Sequence, residues 1–168
     1  NNKILKSMGR RYKKELYKNK VNKIKKMMPD ACIGADVIVG YPEESKSDFN
    51  KTYKFINDLN IDYMHVFPYS ERKNTSAQDI LPKVQNNIIV MRRNKLRLLS
   101  NNKYNYFIKK NLNHDFNILF EKYDNGLLSG WTNNYIRVNV KGDKNLINTI
   151  KKIKIINQSD GFTNGALV

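Results

Sequence analysis

Cysteine is nearly absent from this sequence, and Cys32 is the only one among 168 residues. A single thiol excludes an internal disulfide and favours a cytoplasmic protein, because disulfides persist in oxidising compartments. The sequence also lacks the run of about 18 apolar residues that a membrane-spanning helix needs, so we expect no membrane partner. Its first residues contain neither an initiating Met nor an apolar signal segment, which indicates a start inside a longer gene product.

Acidic residues are also few, because 15 Asp and Glu stand against 31 Lys and Arg, for a net charge of +16. Such an excess is typical of proteins with a polyanionic partner, nucleic acid above all. A Lys- and Asn-rich coding bias of an AT-rich genome would give the same composition. Charge alone leaves both interpretations open.

The first part of the chain has the pattern of alternating helices and buried strands. The predicted helices cover 2–8, 13–28, 49–59 and 83–112, and the predicted strands cover 32–39 and 63–67. Ser47 or Asp48 is the expected cap of the third helix, and the fourth has a potential break at 100–102. The order indicates a parallel sheet, whose ligands gather where the strands end.

The character of the sequence changes after the fourth helix. Short alternating segments at 116–120, 127–130, 135–140, 150–156 and 161–168 predict strands, and Asn125-Gly126 is a strong hairpin signal. We therefore predict two domains, an α/β domain at 1–102 and a small β-sandwich or β-barrel at 103–168. Two parallel strands do not make a complete sheet, so the first domain is expected to be the C-terminal part of a larger barrel or sheet.

Several motifs fall in an order and spacing that point to one family. They are Met-Gly-Arg-Arg-Tyr at 8–12, Asp-Val-Ile-Val-Gly-Tyr-Pro-Glu-Glu at 36–44, His-Val-Phe-Pro-Tyr-Ser-Glu-Arg-Lys-Asn-Thr-Ser-Ala at 65–77, and Leu-Leu-Ser-Gly-Trp-Thr-Asn-Asn-Tyr-Ile-Arg-Val at 127–138. The first three resemble the radical S-adenosylmethionine methylthiotransferases that modify tRNA, and the last resembles the TRAM domain that ends those enzymes. Within the family, the branch acting on threonylcarbamoyladenosine is the most similar.

The resemblance implies a fold, a reaction and partners. The fold is an α/β partial radical-SAM barrel, of which this chain holds the last two of six parallel strands, followed by a small all-β TRAM barrel. The reaction adds a methylthio group to C2 of the modified adenosine at tRNA position 37, with S-adenosylmethionine and [4Fe-4S] clusters as cofactors. The implied partners are tRNA and the preceding, N-terminal portion of the same enzyme.

One departure from the family is large. The radical cluster needs a Cys-x₃-Cys-x₂-Cys motif, and this chain has one cysteine, so the cluster ligands are expected outside it and no residue here is directly catalytic. Glu43 and Asn74 stand where the family usually has Gly. Asn tolerates a left-handed backbone, whereas Glu43 is expected either to strain its turn or to shift the contacts of the turn.

The resemblance also implies a set of cofactor-binding residues. Asp36 would hydrogen-bond the ribose or amino group, Ile38 and Phe67 would contact the adenine, and Gly40 would allow close approach. The backbone near Tyr69 would meet the adenine edge, and Arg10 would pair with the cofactor carboxylate. The alternatives from the residues themselves are an ion pair of Asp36 with Arg10 or Arg72, and plain core packing for Ile38 and Phe67.

The last domain is the expected RNA-binding part. Small β-barrels bind nucleic acid with stacking aromatics and basic side chains. The candidates are Trp131, Tyr135, Arg137, Lys141 and Lys151. Trp131 has the alternative of filling the barrel core.

For other polar residues we expect structural rather than functional roles. His65 is expected to hydrogen-bond within the sheet, since two distant histidines and one cysteine do not make a metal site. Arg92 and Arg93 are expected to be solvated.

Two other functional classes compete with the enzyme. One is a non-catalytic RNA-binding protein that keeps a remnant half-barrel. The other is a nucleotide-binding module on a generic α/β sheet, which the absence of a Gly-rich phosphate loop disfavours.

Overall fold

The computed structural model describes residues 1–159 and 161–168, which divide into two compact units, Asn1–Tyr104 and Asn105–Val168. The α-helices are α1 (Asn2–Ser7), α2 (Lys14–Met27), α3 (Lys46–Asp58) and α4 (Asn86–Lys110). The strands are β1 (Gly34–Val39), β2 (Tyr63–Pro68), β3 (Asp115–Asp124), β4 (Leu127–Thr132), β5 (Arg137–Lys141), β6 (Ile150–Ser159) and β7 (Phe162–Leu167).

The first unit is built on β1 and β2, which pair in parallel from Gly34 beside Tyr63 to Val39 beside Pro68. The predicted parallel pairing is therefore confirmed. One face of the pair packs on the helices, and its buried side chains form a core with apolar residues of α2, α3 and α4. That core contains Val21, Val39, Phe49, Ile56, Leu59, Ile61, Met64, Val66, Leu96 and Leu99.

The other face of the two strands is open, so the strands predicted to be buried are covered on one face only. Asp36 is exposed, Ile38 keeps 36% of its surface exposed and Phe67 keeps 49%. Side chains alternate between the two faces of a strand, and only the alternate set faces the helices. The exposure of Asp36 also removes the desolvation cost that a buried carboxylate would carry.

The helix α3 begins with a capping box, although not at the residue predicted. The hydroxyl of Ser45 accepts from the backbone N–H of Asp48 at 3.0 Å, and the Asp48 carboxylate accepts from the backbone N–H of Ser45 at 3.2 Å. The predicted caps, Ser47 and Asp48, are therefore wrong. Ser45 is the N-cap because it stands three residues before Asp48, whose acidic side chain can complete the capping box.

The helix α4 is continuous through the predicted break at 100–102. Ser100 is buried, and its hydroxyl accepts from the backbone N–H of Met64 at 2.8 Å and donates to the carbonyl of the same residue at 3.1 Å. This serine therefore satisfies backbone groups of β2 rather than interrupting the helix.

The second unit contains a closed barrel with the strand order β3-β4-β5-β7-β6, in which β6 pairs back with β3. The barrel alternative of the prediction is confirmed. Its interior is apolar and is filled by alternate residues of the strands, as the sequence pattern indicated for Ile136, Val138 and Val140. The other fully buried residues are Ile118, Phe120, Leu128, Ile153 and Ile155.

The turn between β3 and β4 has the predicted hairpin chemistry. Asn125 and Gly126 have φ values of 47° and 83°, the positive values that the favoured two-residue turn requires. Farther along β4, Gly130 allows close strand contact, because a Cβ there would lie 1.9 Å from the carbonyl oxygen of Leu119. No other residue fits this position without movement of the backbone.

Candidate cofactor cleft and nucleic-acid interface

The open face of β1 and β2 gathers the central candidates for cofactor binding. The parallel register places Asp36 beside His65 and Ile38 beside Phe67, all on the exposed face. The His65 ring lies 5.2 Å from the Tyr63 ring in an edge contact and 6.4 Å from the Phe67 ring. In the part of the chain that the structure describes, His65 makes these ring contacts in place of the hydrogen bond expected within the sheet.

Asp36 projects from this exposed face of β1. Among residues 1–159 and 161–168, neither Arg10 nor Arg72 makes the ion pair that was the alternative for Asp36. Its carboxylate is therefore available to accept hydrogen bonds from a ligand.

A cleft of about 840 Å³ runs along this part of the first unit. Five of the six cofactor candidates contribute to its lining, namely Arg10, Asp36, Ile38, Phe67 and Tyr69. Cofactor sites usually measure about 300 to 1,000 Å³, so the cleft is large enough for a nucleoside-sized ligand. Its mixture of exposed apolar, acidic and basic side chains also suits S-adenosylmethionine, which combines an adenine, a ribose and an amino-acid end.

Backbone and ring contacts hold the rim of the cleft where the strands end. The backbone N–H of Tyr69 donates to the carbonyl of Val39 at 2.8 Å, and the Tyr69 ring packs edge-on against Tyr41 at 5.2 Å. The Tyr41 hydroxyl donates to the carbonyl of Ser7 at 2.9 Å. Nearby, burial and to a lesser extent the charges of Tyr12 and Asp36 raise the pKa of Tyr17, another lining residue.

Gly40, the sixth candidate, is buried beside the cleft rather than in its lining. Its φ is +77°, and a Cβ would lie 2.4 Å from the side chain of Ile89 on α4. The close approach that this glycine permits is therefore to the protein's own helix. Glu43 and Asn74, which replace the family's usual glycines, also have positive φ, of 62° each.

A buried ion pair under the turn after β1 was missed in the sequence. Arg92 of α4 donates to the Glu44 carboxylate at 2.6 Å and to the Glu44 carbonyl at 2.8 Å, and both side chains are at most 5% exposed. The same carboxylate accepts from the backbone N–H of Gly40 at 2.9 Å. The prediction that Arg92 is solvated is therefore wrong, because a carboxylate distant in sequence compensates its charge.

Three RNA-binding candidates form one cluster on the outer wall of the barrel. The rings of Trp131 and Tyr135 lie 5.4 Å apart, and the Arg137 guanidinium lies 5.9 Å from the Trp131 ring centre. Trp131 is half-buried and Tyr135 is 65% exposed. The alternative that Trp131 fills the barrel core is wrong, because the interior is already filled by aliphatic residues and Phe120.

The strand register extends this cluster sideways into a row across the barrel wall. Arg137 pairs with Trp131, Trp131 with Leu119, and Leu119 with Ile150. Leu119 and Ile150 are 41% and 68% exposed, so the row is apolar with a cation at one end. No sequence signal marked Leu119 and Ile150, because an exposed apolar residue in a strand resembles a core residue.

The two lysine candidates are exposed but are not part of that cluster. Lys141 pairs with Leu127 at the opposite end of β5 from Arg137, about 13 Å away along the strand. Lys151 pairs with Ile118 near the start of β6. These lysines add positive charge to the barrel at separate points.

The described residues supply no metal centre. Among residues 1–159 and 161–168, no group of three His, Cys, Asp or Glu side chains is placed to hold a metal ion. Cys32 stands alone, and burial followed by the charge of Asp62 raises its pKa to about 12. The residues present therefore do not fit an iron–sulfur cluster. In the same part of the chain, no helix is long and apolar enough to cross a membrane.

Comparison with known proteins decides the family, although no protein-family profile matches the chain. Over 99% of its length, the chain is 33% identical to the threonylcarbamoyladenosine tRNA methylthiotransferase MtaB of Bacillus subtilis (strain 168), of which it covers 38%. It is 41% identical to MtaB of Aquifex aeolicus (strain VF5), over 85% of the chain and 34% of that protein. The chain belongs to the MiaB/MtaB-like tRNA methylthiotransferase family.

A second kind of relative belongs to the same family. The tRNA-2-methylthio-N(6)-dimethylallyladenosine synthase of Clostridium tetani (strain Massachusetts / E88) is 38% identical over 90% of the chain. The chain covers 34% of that protein, so it spans just over a third of the length of these three curated relatives. The family thus includes proteins named for two different modified adenosines.

Proposed function

We propose that this chain is the C-terminal part of a tRNA methylthiotransferase that modifies threonylcarbamoyladenosine at position 37 of tRNA. The observation that carries the proposal is the likeness to the Bacillus subtilis MtaB over 99% of the chain. The cleft that gathers Arg10, Asp36, Ile38, Phe67 and Tyr69 supports it independently. In this proposal the first unit closes a radical-SAM barrel and the second is a TRAM barrel.

The first unit would bind the cofactor. S-adenosylmethionine bound in the cleft would supply the radical that activates the adenosine, and a second molecule of it would supply the methyl group. Asp36 accepts a hydrogen bond from the ribose or the adenine amino group, Ile38 and Phe67 pack on the adenine, and the backbone at Tyr69 meets its edge. Arg10 holds the cofactor carboxylate through its planar guanidinium. The cluster thiolates come from outside this chain.

The cofactor role is tested by Asp36→Ala in the full-length protein, with binding of S-adenosylmethionine measured by calorimetry. A hydrogen bond to a charged group contributes about 1.5–3 kcal/mol, so the dissociation constant is expected to rise about 10- to 100-fold. Asp124→Ala, which removes an exposed carboxylate from the barrel, serves as the control. Unchanged cofactor affinity in Asp36→Ala would remove Asp36 from the site.

The second unit would hold the tRNA. Trp131 and Tyr135 offer rings on which bases can stack, and Arg137 beside them contacts a phosphate. Arg137→Ala is expected to weaken tRNA binding and to make the plot of log affinity against log salt shallower by about 1. Lys109→Ala in the same unit is the matched control. An unchanged salt slope would count against Arg137 as a phosphate contact.

The substrate assignment is tested separately, because relatives of both kinds exist. The full-length protein, expressed in cells that lack methylthiotransferases, should produce methylthio-threonylcarbamoyladenosine in the tRNA nucleosides measured by mass spectrometry. Appearance of methylthio-dimethylallyladenosine instead would overturn the assignment. Absence of both, with intact RNA binding, would favour the alternative of a non-catalytic RNA-binding protein, which the enzyme names of the relatives do not support.

A further inference from the structure

A second basic surface lies on the first unit, in a groove between α2 and α3. Four lysines line it, two from each helix, above a floor that contains Phe55 and Leu59. We call this surface the lysine groove, and its lysines are Lys14, Lys18, Lys51 and Lys54. It has a volume of about 240 Å³.

Helix geometry explains why these lysines converge. Lys14 and Lys18 are four residues apart on α2, and Lys51 and Lys54 are three apart on α3, so each pair shares one helix face. Like charges at these spacings repel one another. The arrangement therefore carries an unfavourable interaction that a bound anion would relieve.

The charge of the groove is only weakly compensated within the chain. Elsewhere in the unit, Lys3 and Lys25 pair with carboxylates at 3.3 Å and 2.6 Å. Within residues 1–159 and 161–168, Lys18, Lys51 and Lys54 make no ion pair, and Lys14 has a loose one with Glu15 at 3.9 Å. Asp58 is the single acidic residue in the lining of the groove.

The groove borders the cofactor cleft. Lys14, Phe55 and Leu59 line both, and the Lys14 ammonium lies 5.7 Å from the centre of the Phe55 ring. An RNA that brings one nucleotide up to the cofactor at the cleft would therefore pass its neighbouring phosphates close to the four ammonium groups. The groove and the cleft both lie entirely within the first unit.

The volume of the lysine groove and the chemistry of its side chains indicate which part of an RNA it can bind. A volume of about 240 Å³ is below the usual range of about 300 to 1,000 Å³ for sites that enclose a small molecule. Lysine acts as a point charge on phosphate and has no acceptor atom, so it reads the backbone rather than a base. The lining thus favours phosphodiester groups over a nucleotide cofactor.

We propose that the lysine groove binds backbone phosphates of the tRNA substrate next to the nucleotide that is brought to the cofactor at the cleft. The proposal rests on the proposed function and adds a second, independent RNA contact to the one on the barrel. It assigns a role to part of the chain's excess of positive charge.

The test replaces the four groove lysines by glutamine in the full-length protein and measures binding of an unmodified tRNA transcript across a range of salt concentrations. If all four contact phosphates, the salt slope becomes shallower by about 3, and affinity near 0.1 M salt falls at least about tenfold. The matched control replaces Lys20, Lys23, Lys26 and Lys109, which are exposed and lie outside the groove. This control removes the same net charge, but its lysines lie outside the groove and contact no phosphate in this proposal, so the slope is expected to change by less than 1.

Comparing the groove variant with Arg137→Ala distinguishes a failure of the groove proposal from a failure of the proposed RNA contact on the barrel. If the salt slope of tRNA binding is unchanged in the groove variant but changes in Arg137→Ala, the groove does not contact phosphates and the barrel contact is retained. No slope change in either variant contradicts both. Equal losses in the groove variant and its control also overturn the groove, because they indicate a general charge effect. In turnover assays a variant with only Lys18, Lys51 and Lys54 replaced, which keeps Lys14 of the cofactor cleft, is expected to raise the KM for tRNA while kcat is retained.

Discussion

Replacing Arg92 by Met tests the buried ion pair beneath the turn after β1. Among the residues that the structure describes, the change leaves the buried Glu44 carboxylate with the Gly40 N–H as its one donor. It also removes the contact of the guanidinium with the Phe49 ring at 5.4 Å. Loss of one partner of a buried pair typically costs about 3–5 kcal/mol. With a urea dependence of about 2 kcal/mol/M, the unfolding midpoint of the first unit is expected to fall by about 2 M.

The chain offers two optical probes that follow its units separately. Most of the helix lies in the first unit and dominates far-ultraviolet circular dichroism, whereas the single Trp, Trp131, reports on the barrel by fluorescence. Arg92→Met is therefore expected to shift the dichroism transition much more than the fluorescence transition. Arg92→Lys, which keeps the charge and loses the guanidinium fork, is expected to fall in between.

A double-mutant cycle supplies the decisive control. In a Glu44→Gln background the carboxylate charge is gone, and the Gln oxygen can still accept from Gly40. Arg92→Met should then cost about 1 kcal/mol, which gives a coupling of about 2 kcal/mol or more. Equal effects of Arg92→Met in the two backgrounds would refute the assignment of an energetically coupled pair.

Three further predictions concern single residues of the first unit. Burial opposes ionisation of Asp48, but hydrogen bonds led by that from Ser45 outweigh it and lower its pKa to about 2 from 3.8. The resulting stabilisation of about 2 kcal/mol is present above about pH 4 and is lost as the pH falls to about 2, so Asp48→Asn should abolish that part of an acid titration followed by circular dichroism. Because the pKa of Cys32 is about 12, its reaction with Ellman's reagent at pH 8 should be at least about 100-fold slower in the folded protein than in urea. Glu43→Gly should raise the free energy of unfolding by about 1 kcal/mol, measured by urea titration, since Glu43 has a φ of 62°, whereas Glu43→Val should lower it.

The elements that sequence reasoning predicted well are those with a strong local pattern. Strict alternation marked the inward residues of β5, and Asn125-Gly126 marked the hairpin before β4. The parallel pairing of β1 and β2 followed from helix–strand alternation, which allows few topologies. In each case the information lay within a few neighbouring residues.

The features that it missed depend on partners distant in the sequence. Arg92 is buried because Glu44 meets it, and Ser100 fits inside α4 because its hydroxyl satisfies backbone groups of β2. Nothing near either residue announces such a partner. The open face of β1 was missed for a related reason, because an apolar run is equally compatible with one covered face or two.

Because the barrel of the second unit is closed, it is suited to be a self-contained domain. Its five strands pair in a ring, so the barrel offers no strand flank on which another chain could add a strand. The β1–β2 sheet, in contrast, has only two strands in the described residues and leaves both flanks open to pairing. Produced separately, the barrel should therefore remain monomeric at high concentration, while the first unit should self-associate.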